Sequence, residues 1–224
     1  KNQNYTPIAW STSFEQFQSY VFVTALLQNG AELYNPNGYR AEWVSNPQNK
    51  KAFENRMQSI RDLRNVSPAD DTTANILNKF LNNEALFYVA APWNMSSVLT
   101  AYINNNKDLG IESVDNLAEH IGGTSMANWF ALDKTATYAN VIYGDAHFFA
   151  MTKAVTDVTK KAAILEFIKW FTQNSSISAT WGETGHISLY SSTIESAEYN
   201  ANAYMKNYVT KFYPDINNFR CRGN

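Results

Sequence analysis

One stretch constrains the fold of this chain more than any other: Phe80 to Asn94, Phe-Leu-Asn-Asn-Glu-Ala-Leu-Phe-Tyr-Val-Ala-Ala-Pro-Trp-Asn. It follows an amphipathic helical pattern and turns on Asn82-Asn83, a residue type that tolerates left-handed backbone angles. Ala85 to Ala90 is then a short apolar run of the kind that forms a strand buried on both faces. Pro92 ends that strand because it cannot donate to a ladder. Trp93 stands at the strand's carboxyl end. Asn94 is placed to cap the next helix, which carries Val98, Leu99 and Tyr102. In open α/β sheets ligands sit at the carboxyl ends of strands, so a flat ring at Trp93 is well placed to stack on one.

The flanking order agrees with an α/β chain. Ile8-Ala9-Trp10 reads as a strand end, followed by Thr12 and Glu15 at capping-box spacing and a helix that Gly30 terminates. Glu32 to Val44, turning on Asn35-Pro36-Asn37-Gly38, reads as a β-hairpin. Asn46-Pro47 caps and starts a second helix with Phe53, Met57, Ile60 and Leu63 on one face. Asp70-Asp71 starts a third, bearing Ile76, Phe80 and Leu81. Ser113 to Ile121 looks helical and stops at Gly122-Gly123. Asp157 caps a helix over Lys160 to Thr172 whose stripe is Ala163, Phe167, Ile168 and Phe171. A short helix follows from Ser175 to Trp181. Trp43 and Trp170 read as packing residues.

Composition narrows the function. The chain has 224 residues, enough for one large domain or two small ones, and only 17% of them are charged. A net charge of -2 supplies no basic field for nucleic acid or anionic membrane. Cys221 is the only cysteine, which excludes an internal disulfide framework and a cysteine-cluster metal site. No apolar run is long enough to span a bilayer. Lys1-Asn2-Gln3 does not open a signal peptide, so an exported protein of this sequence is a mature or trimmed form.

Phe80, Ala85, Pro92 and Trp93 fall at the spacing of a motif in the extracellular solute-binding proteins of ABC importers. The chain resembles the sugar-binding family that includes maltose-binding protein. That motif is Phe, two residues, Gly-Lys-Ala-Ala-Met, three residues, then Gly-Pro-Trp. Here Asn83 replaces Gly, Glu84 replaces Lys, Leu86-Phe87 replaces Ala-Met, and Ala91 replaces Gly. The similarity extends to Leu26 through Ala31 and to the Asn35 to Gly38 turn. It loosens over Lys107 to Asn140, which reads as an insertion or a remodelled face. It returns at Tyr143 to Met151, in the Lys160 to Thr172 helix, and at Gly185-His186-Ile187-Ser188, where the family has Gly-x-x-Pro.

The resemblance implies an α/β fold, a periplasmic-binding-protein-like lobe of type II with a mixed sheet flanked by helices. It implies that residues 1–224 are a single lobe, the second of two. The first lobe would lie upstream of Lys1, and the last ten or so residues, near Tyr213-Pro214, would head for the hinge. It further implies a substrate-binding component of an ABC transporter, capturing an oligosaccharide or sugar derivative outside the membrane. Such a protein is extracellular, periplasmic or lipid-anchored, and its partners are the sugar and a membrane permease. No cofactor, metal or nucleic acid is expected.

A sugar is held by aromatic faces over its C–H patches and by planar polar side chains that take hydroxyls in pairs. Trp93 is the leading candidate. Trp10, Ser11 and Phe14 lie where a strand ends and a helix starts; capping and core packing are the competing roles. Tyr20 falls in register with a stacking tyrosine of the family, against a core position within a helix. Asp145 and His147 flank a turn after Gly144, where an aspartate is often structural. Trp181 and His186 flank Gly182 and Gly185, for which a plain surface loop is the alternative.

An enzyme is not expected. His120, His147 and His186 show no His-Glu-x-x-His pattern, and neither a Gly-x-Ser-x-Gly elbow nor a phosphate loop is present. A glycoside-processing enzyme would need two carboxylates across a cleft, with Glu84 and Asp145 as the nearest candidates. A surface adhesin or interaction module on the same scaffold is the other alternative, since fold does not fix function.

Overall fold

The Ala85 strand forms, in a shorter and more open version than its composition implies. In the computed structural model, which describes residues 5–10, 20–33, 46–67, 73–145, 147–188, 190–209 and 219–220, β1 spans Thr6–Ala9 and β2 spans Ala85–Tyr88. They pair in parallel, with Ile8 opposite Phe87. Ala85 is buried, but Leu86 is 59% exposed and Phe87 is also exposed, so β2 is not covered on both faces. Among the described residues β1 is its only strand neighbour. A two-stranded ribbon leaves one edge and part of a face to other groups. Phe87 meets the edge of Trp129 at 6.4 Å. The Asn82-Asn83 turn is as expected, with Asn83 left-handed at φ 58°.

The chain divides into two compact units, Lys1–Val89 with Thr124–Ala146 and Asp215–Asn224, and Ala90–Gly123 with His147–Pro214. Apolar residues collect in each, so each unit closes its own core. The described backbone is mixed α/β, mostly helical, with parallel strand pairs. Among the described residues the strands form two parallel pairs.

In the first unit, α1 (Phe22–Leu27) buries Thr24, Ala25, Leu26 and Leu27. Gly30, left-handed at φ 85°, ends the turn that follows. Helix α2 (Pro47–Val66) starts as the sequence predicts, the Asn46 side chain accepting from the Gln48 N–H at 2.9 Å. Its buried face is Asn49, Ala52, Ser59 and Ile60, whereas Phe53 and Met57 are exposed. One reason is polar: Asn49 is a buried amide that bonds both the N–H and the C=O of Glu32 at 2.8 Å. Helix α3 (Thr73–Leu81) buries Ile76. The main core joins Ala9, Trp10, Val21, Ala25, Ile60, Ile76, Ala85 and Phe130. Strands β3 (Ile142–Tyr143) and β4 (Phe219–Arg220) form a second parallel pair. Of the hairpin expected over Glu32 to Val44, residues 34–44, with Trp43, lie outside the described residues, as does the helix start at Asp70-Asp71.

Residues 126–140, within the stretch read as an insertion, and Val141 just after it are built into this unit by two buried amides at the end of α1. Gln28 donates to the carbonyls of Met126 and Val141 at 2.8 and 3.0 Å and accepts from the Phe130 N–H at 2.8 Å. Asn29 donates to the Phe130 carbonyl at 2.9 Å and accepts from the Leu132 N–H at 3.2 Å. An irregular segment cannot satisfy its own backbone when buried, so these side chains do it.

In the second unit, α4 (Pro92–Asn105) starts with Pro92 at its first turn. The cap is reversed from expectation. Ala91 is the capping residue, and Asn94, already inside the helix, accepts from the Ala91 N–H at 3.0 Å. Of the Ser113–Ile121 helix only α5 (Val114–Leu117) forms. Asp157 caps α6 (Val158–Gln173) and Asn174 caps α7 (Ser175–Gly182). Helices α8 (Ser191–Ile194) and α9 (Ala197–Ala201) and a π-turn at Met205–Val209 complete the unit. Its core joins Ala179, Tyr199, Met205 and Val209. Helix α6 buries none of its residues; Phe167 and Trp170, expected to pack, are exposed, as is Phe148 at 84%.

Candidate functional site

Four expected ligand residues, Trp93, His147, Trp181 and His186, belong to the second unit, and glycines determine how they are presented. Gly182 ends α7 against the ring of Tyr199; an added Cβ would stand 2.8 Å from Tyr199 Cε2. Gly185 is left-handed at φ 85°, and a Cβ there would overlap the Pro92 carbonyl oxygen and stand 3.1 Å from the Trp93 nitrogen. Only glycine lets the loop after α7 lie so close against the first turn of α4. That approach brings the backbone next to His186 against the Pro92-Trp93 backbone. Both indoles keep exposed surface, Trp93 at 36% and Trp181 at 45%.

Three of the rings form a contiguous cluster. Trp181 and His186 lie 4.7 Å apart between centroids, tilted by 37°. His147 meets His186 edge-on at 5.0 Å and Trp181 at 6.4 Å. Thr184 fixes the imidazole. Its hydroxyl donates to the Trp181 carbonyl at 2.6 Å and lies 2.6 Å from His186 Nδ1. A hydroxyl has one hydrogen to give, so Nδ1 carries the proton and donates to Thr184, leaving Nε2 with a free lone pair. Burial, and then the neighbouring His147, lower the His186 pKa from its ordinary 6.5. Both effects disfavour the charged ring.

The exposed face of α4 continues from Trp93 with hydroxyl groups at helical spacing. Ser96, Ser97 and Thr100 line an open groove of about 610 Å³ with Glu183, Asn202 and Tyr204. Thr100 Oγ1 and Tyr204 Oη share a 2.6 Å hydrogen bond. The groove presents hydroxyls, amides and one carboxylate, and among the described residues no lysine or arginine lines it.

The other expected residues are elsewhere. Tyr20 and Asp145 come together in the first unit. Asp145 accepts from the Tyr20 hydroxyl at 3.2 Å and from Tyr143 at 2.9 Å, and the two tyrosine rings lie 5.4 Å apart. Trp10 is a correction: it is 1% exposed, and its indole N–H donates to the Ser67 carbonyl at 2.5 Å. It has no face to offer a ligand, because β1 turns it into the core rather than toward the strand edge. Ser11 and Phe14 lie outside the described residues. Sequence reasoning missed Thr184, Tyr143 and the hydroxyl face of α4. The last was legible from the i, i+3, i+4, i+7 spacing of Trp93, Ser96, Ser97 and Thr100; the first two carry no local signal.

No protein-family model, curated protein or solved structure matches this chain.

Proposed function

We propose that this protein is the substrate-binding component of an ABC importer, capturing a neutral carbohydrate outside the membrane and passing it to a permease. In this reading the chain provides a type II lobe that acts with a first lobe. One observation carries the binding reading: Gly185 brings the segment bearing Trp181 and His186 against Trp93, at the head of the hydroxyl-lined face of α4. Exposed indoles supply stacking surfaces for pyranose C–H patches, and the hydroxyls and amides supply paired donors and acceptors. A groove whose described lining holds a carboxylate and neither lysine nor arginine favours a neutral ligand over a phosphate or carboxylate.

The test is saturation-transfer NMR of the purified chain against a panel of neutral oligosaccharides, a method sensitive to millimolar binding. Each stacked indole contributes roughly 1–2 kcal/mol, so Trp93→Ala and Trp181→Ala each weaken the bound sugar by about 5- to 30-fold with the melting temperature little changed. Absence of transfer from every sugar, or binding untouched by both substitutions, refutes the reading.

An interaction module is the second reading, and α6 favours it. Phe149, Phe167, Trp170 and Phe171 form a chain of ring contacts on a helix and loop that bury little of them. Exposed apolar clusters of this kind mark interaction surfaces.

A further inference from the structure

His147 and His186 have a geometry that the carbohydrate reading does not use. Their ring centroids are 5.0 Å apart, with the planes at 68°. An imidazole nitrogen binds zinc at about 2.0–2.1 Å, which puts the ion about 3.2 Å from the ring centroid. Two imidazoles on one ion, at angles from square to tetrahedral, then have centroids about 4.5–5.2 Å apart. The observed separation falls inside that interval.

The surroundings of His186 add a second, independent feature. Histidines that ligate metals almost always give their other ring N–H to an oxygen, which fixes tautomer and orientation. Here Nδ1–H donates to Thr184, which is itself anchored to the Trp181 carbonyl, so Nε2 is the available donor atom.

We infer that His147 and His186 form a two-imidazole chelate for a borderline divalent cation of the Zn²⁺, Ni²⁺ or Cu²⁺ class. Among the described residues no group of three or more His, Cys, Asp or Glu side chains converges as a metal site; the described residues provide these two ligands, and water or a bound molecule completes the coordination. Nitrogen-only donors select this class over Mg²⁺ and Ca²⁺, which take oxygen. The inference does not depend on the carbohydrate reading, and its test needs no sugar.

The experiment is calorimetric titration of Zn²⁺ into the full chain after chelator treatment, near neutral pH. Trp181 fluorescence under Cu²⁺ serves as a local readout, because its ring lies 4.7 Å from His186. One Zn²⁺ per chain is expected, with no heat from Mg²⁺. His147→Asn and His186→Asn should each weaken binding at least ~10-fold, and Thr184→Val about 10-fold by freeing the tautomer. His120→Asn, which alters the remaining histidine, should change nothing. His147 is exposed, so its variant tests the idea even if His186→Asn disturbs the fold; circular dichroism separates the two. Lack of Zn²⁺ binding up to millimolar concentration overturns the proposal. So does binding that survives His147→Asn in a folded protein, or that is lost equally in His120→Asn.

Discussion

Gly185→Ala should be the most damaging glycine substitution among Gly185, Gly110 and Gly122 of the second unit, and the three together separate two physical costs. Gly110 is left-handed at φ 77° with nothing within 4 Å of an added Cβ, so Gly110→Ala carries only the conformational term. That term is about 1–2 kcal/mol for an L-residue. Gly122 has neither a left-handed φ nor a neighbour within 4 Å. Its replacement by Ala should fall within about 0.5 kcal/mol of the parent. Gly185 has the same left-handed backbone, at φ 85°, and its Cβ would also overlap the Pro92 carbonyl oxygen. Both partners are backbone, so no rotamer change relieves the overlap; the loop and the first turn of α4 must separate. The sum is about 3–5 kcal/mol. Urea unfolding followed by circular dichroism ranks the three variants, and the expected order of loss is Gly185, Gly110, Gly122. The same separation moves His186 and Trp181 away from Trp93, so native-state indole emission should change in Gly185→Ala alone. If Gly185→Ala costs no more than Gly110→Ala, the close approach is not what holds the aromatic cluster, and the site loses its structural basis.

Two further outcomes follow from the structure. Trp10→Ala should cost about 3–5 kcal/mol in thermal or urea unfolding, as a buried aromatic does, and leave the Zn²⁺ titration unchanged; a ligand-facing Trp10 would instead be cheap to remove. For His186 the folded pKa is depressed by burial and by His147. Between the folded and unfolded values the unfolded chain therefore binds more protons. This contribution is complete above the ordinary pKa of 6.5 and is lost as pH falls below it. Urea midpoints measured between about pH 5 and 8 should rise with pH up to about 6.5 and then level off, and His186→Asn should flatten the rise.

Much of the local structure was decided by short-range chemistry. Asn46-Pro47, Asp157 and Asn174 start helices because a side-chain oxygen can take the first free N–H groups wherever the rest of the chain goes. Gly30 and Asn83 turn left-handed because their neighbours leave no other way out of a helix, and these residue types tolerate the angle. Pro92 opens α4 for the same kind of local reason, since its fixed φ suits a first turn and its missing N–H costs nothing there. Which face of each helix is covered is a different matter, since it depends on what arrives from far along the chain. Phe53, Met57, Phe167 and Trp170 fit an apolar stripe as well as Ile60 does, yet tertiary packing covers only Ile60. Trp10 and Trp93 both follow apolar strands in the sequence; the fold buries one and leaves the other on the rim. Gln28 and Asn29 read as the polar end of a helix until the backbone of residues 126–141 needs their amides. His147 and His186, separated by the whole of α6 and α7, become a pair only because Gly182 and Gly185 fold the loop after α7 onto its neighbours. Local preferences act over a few residues and are written in the sequence, whereas burial and the meeting of distant side chains belong to the sum of all contacts and exist only in the folded chain.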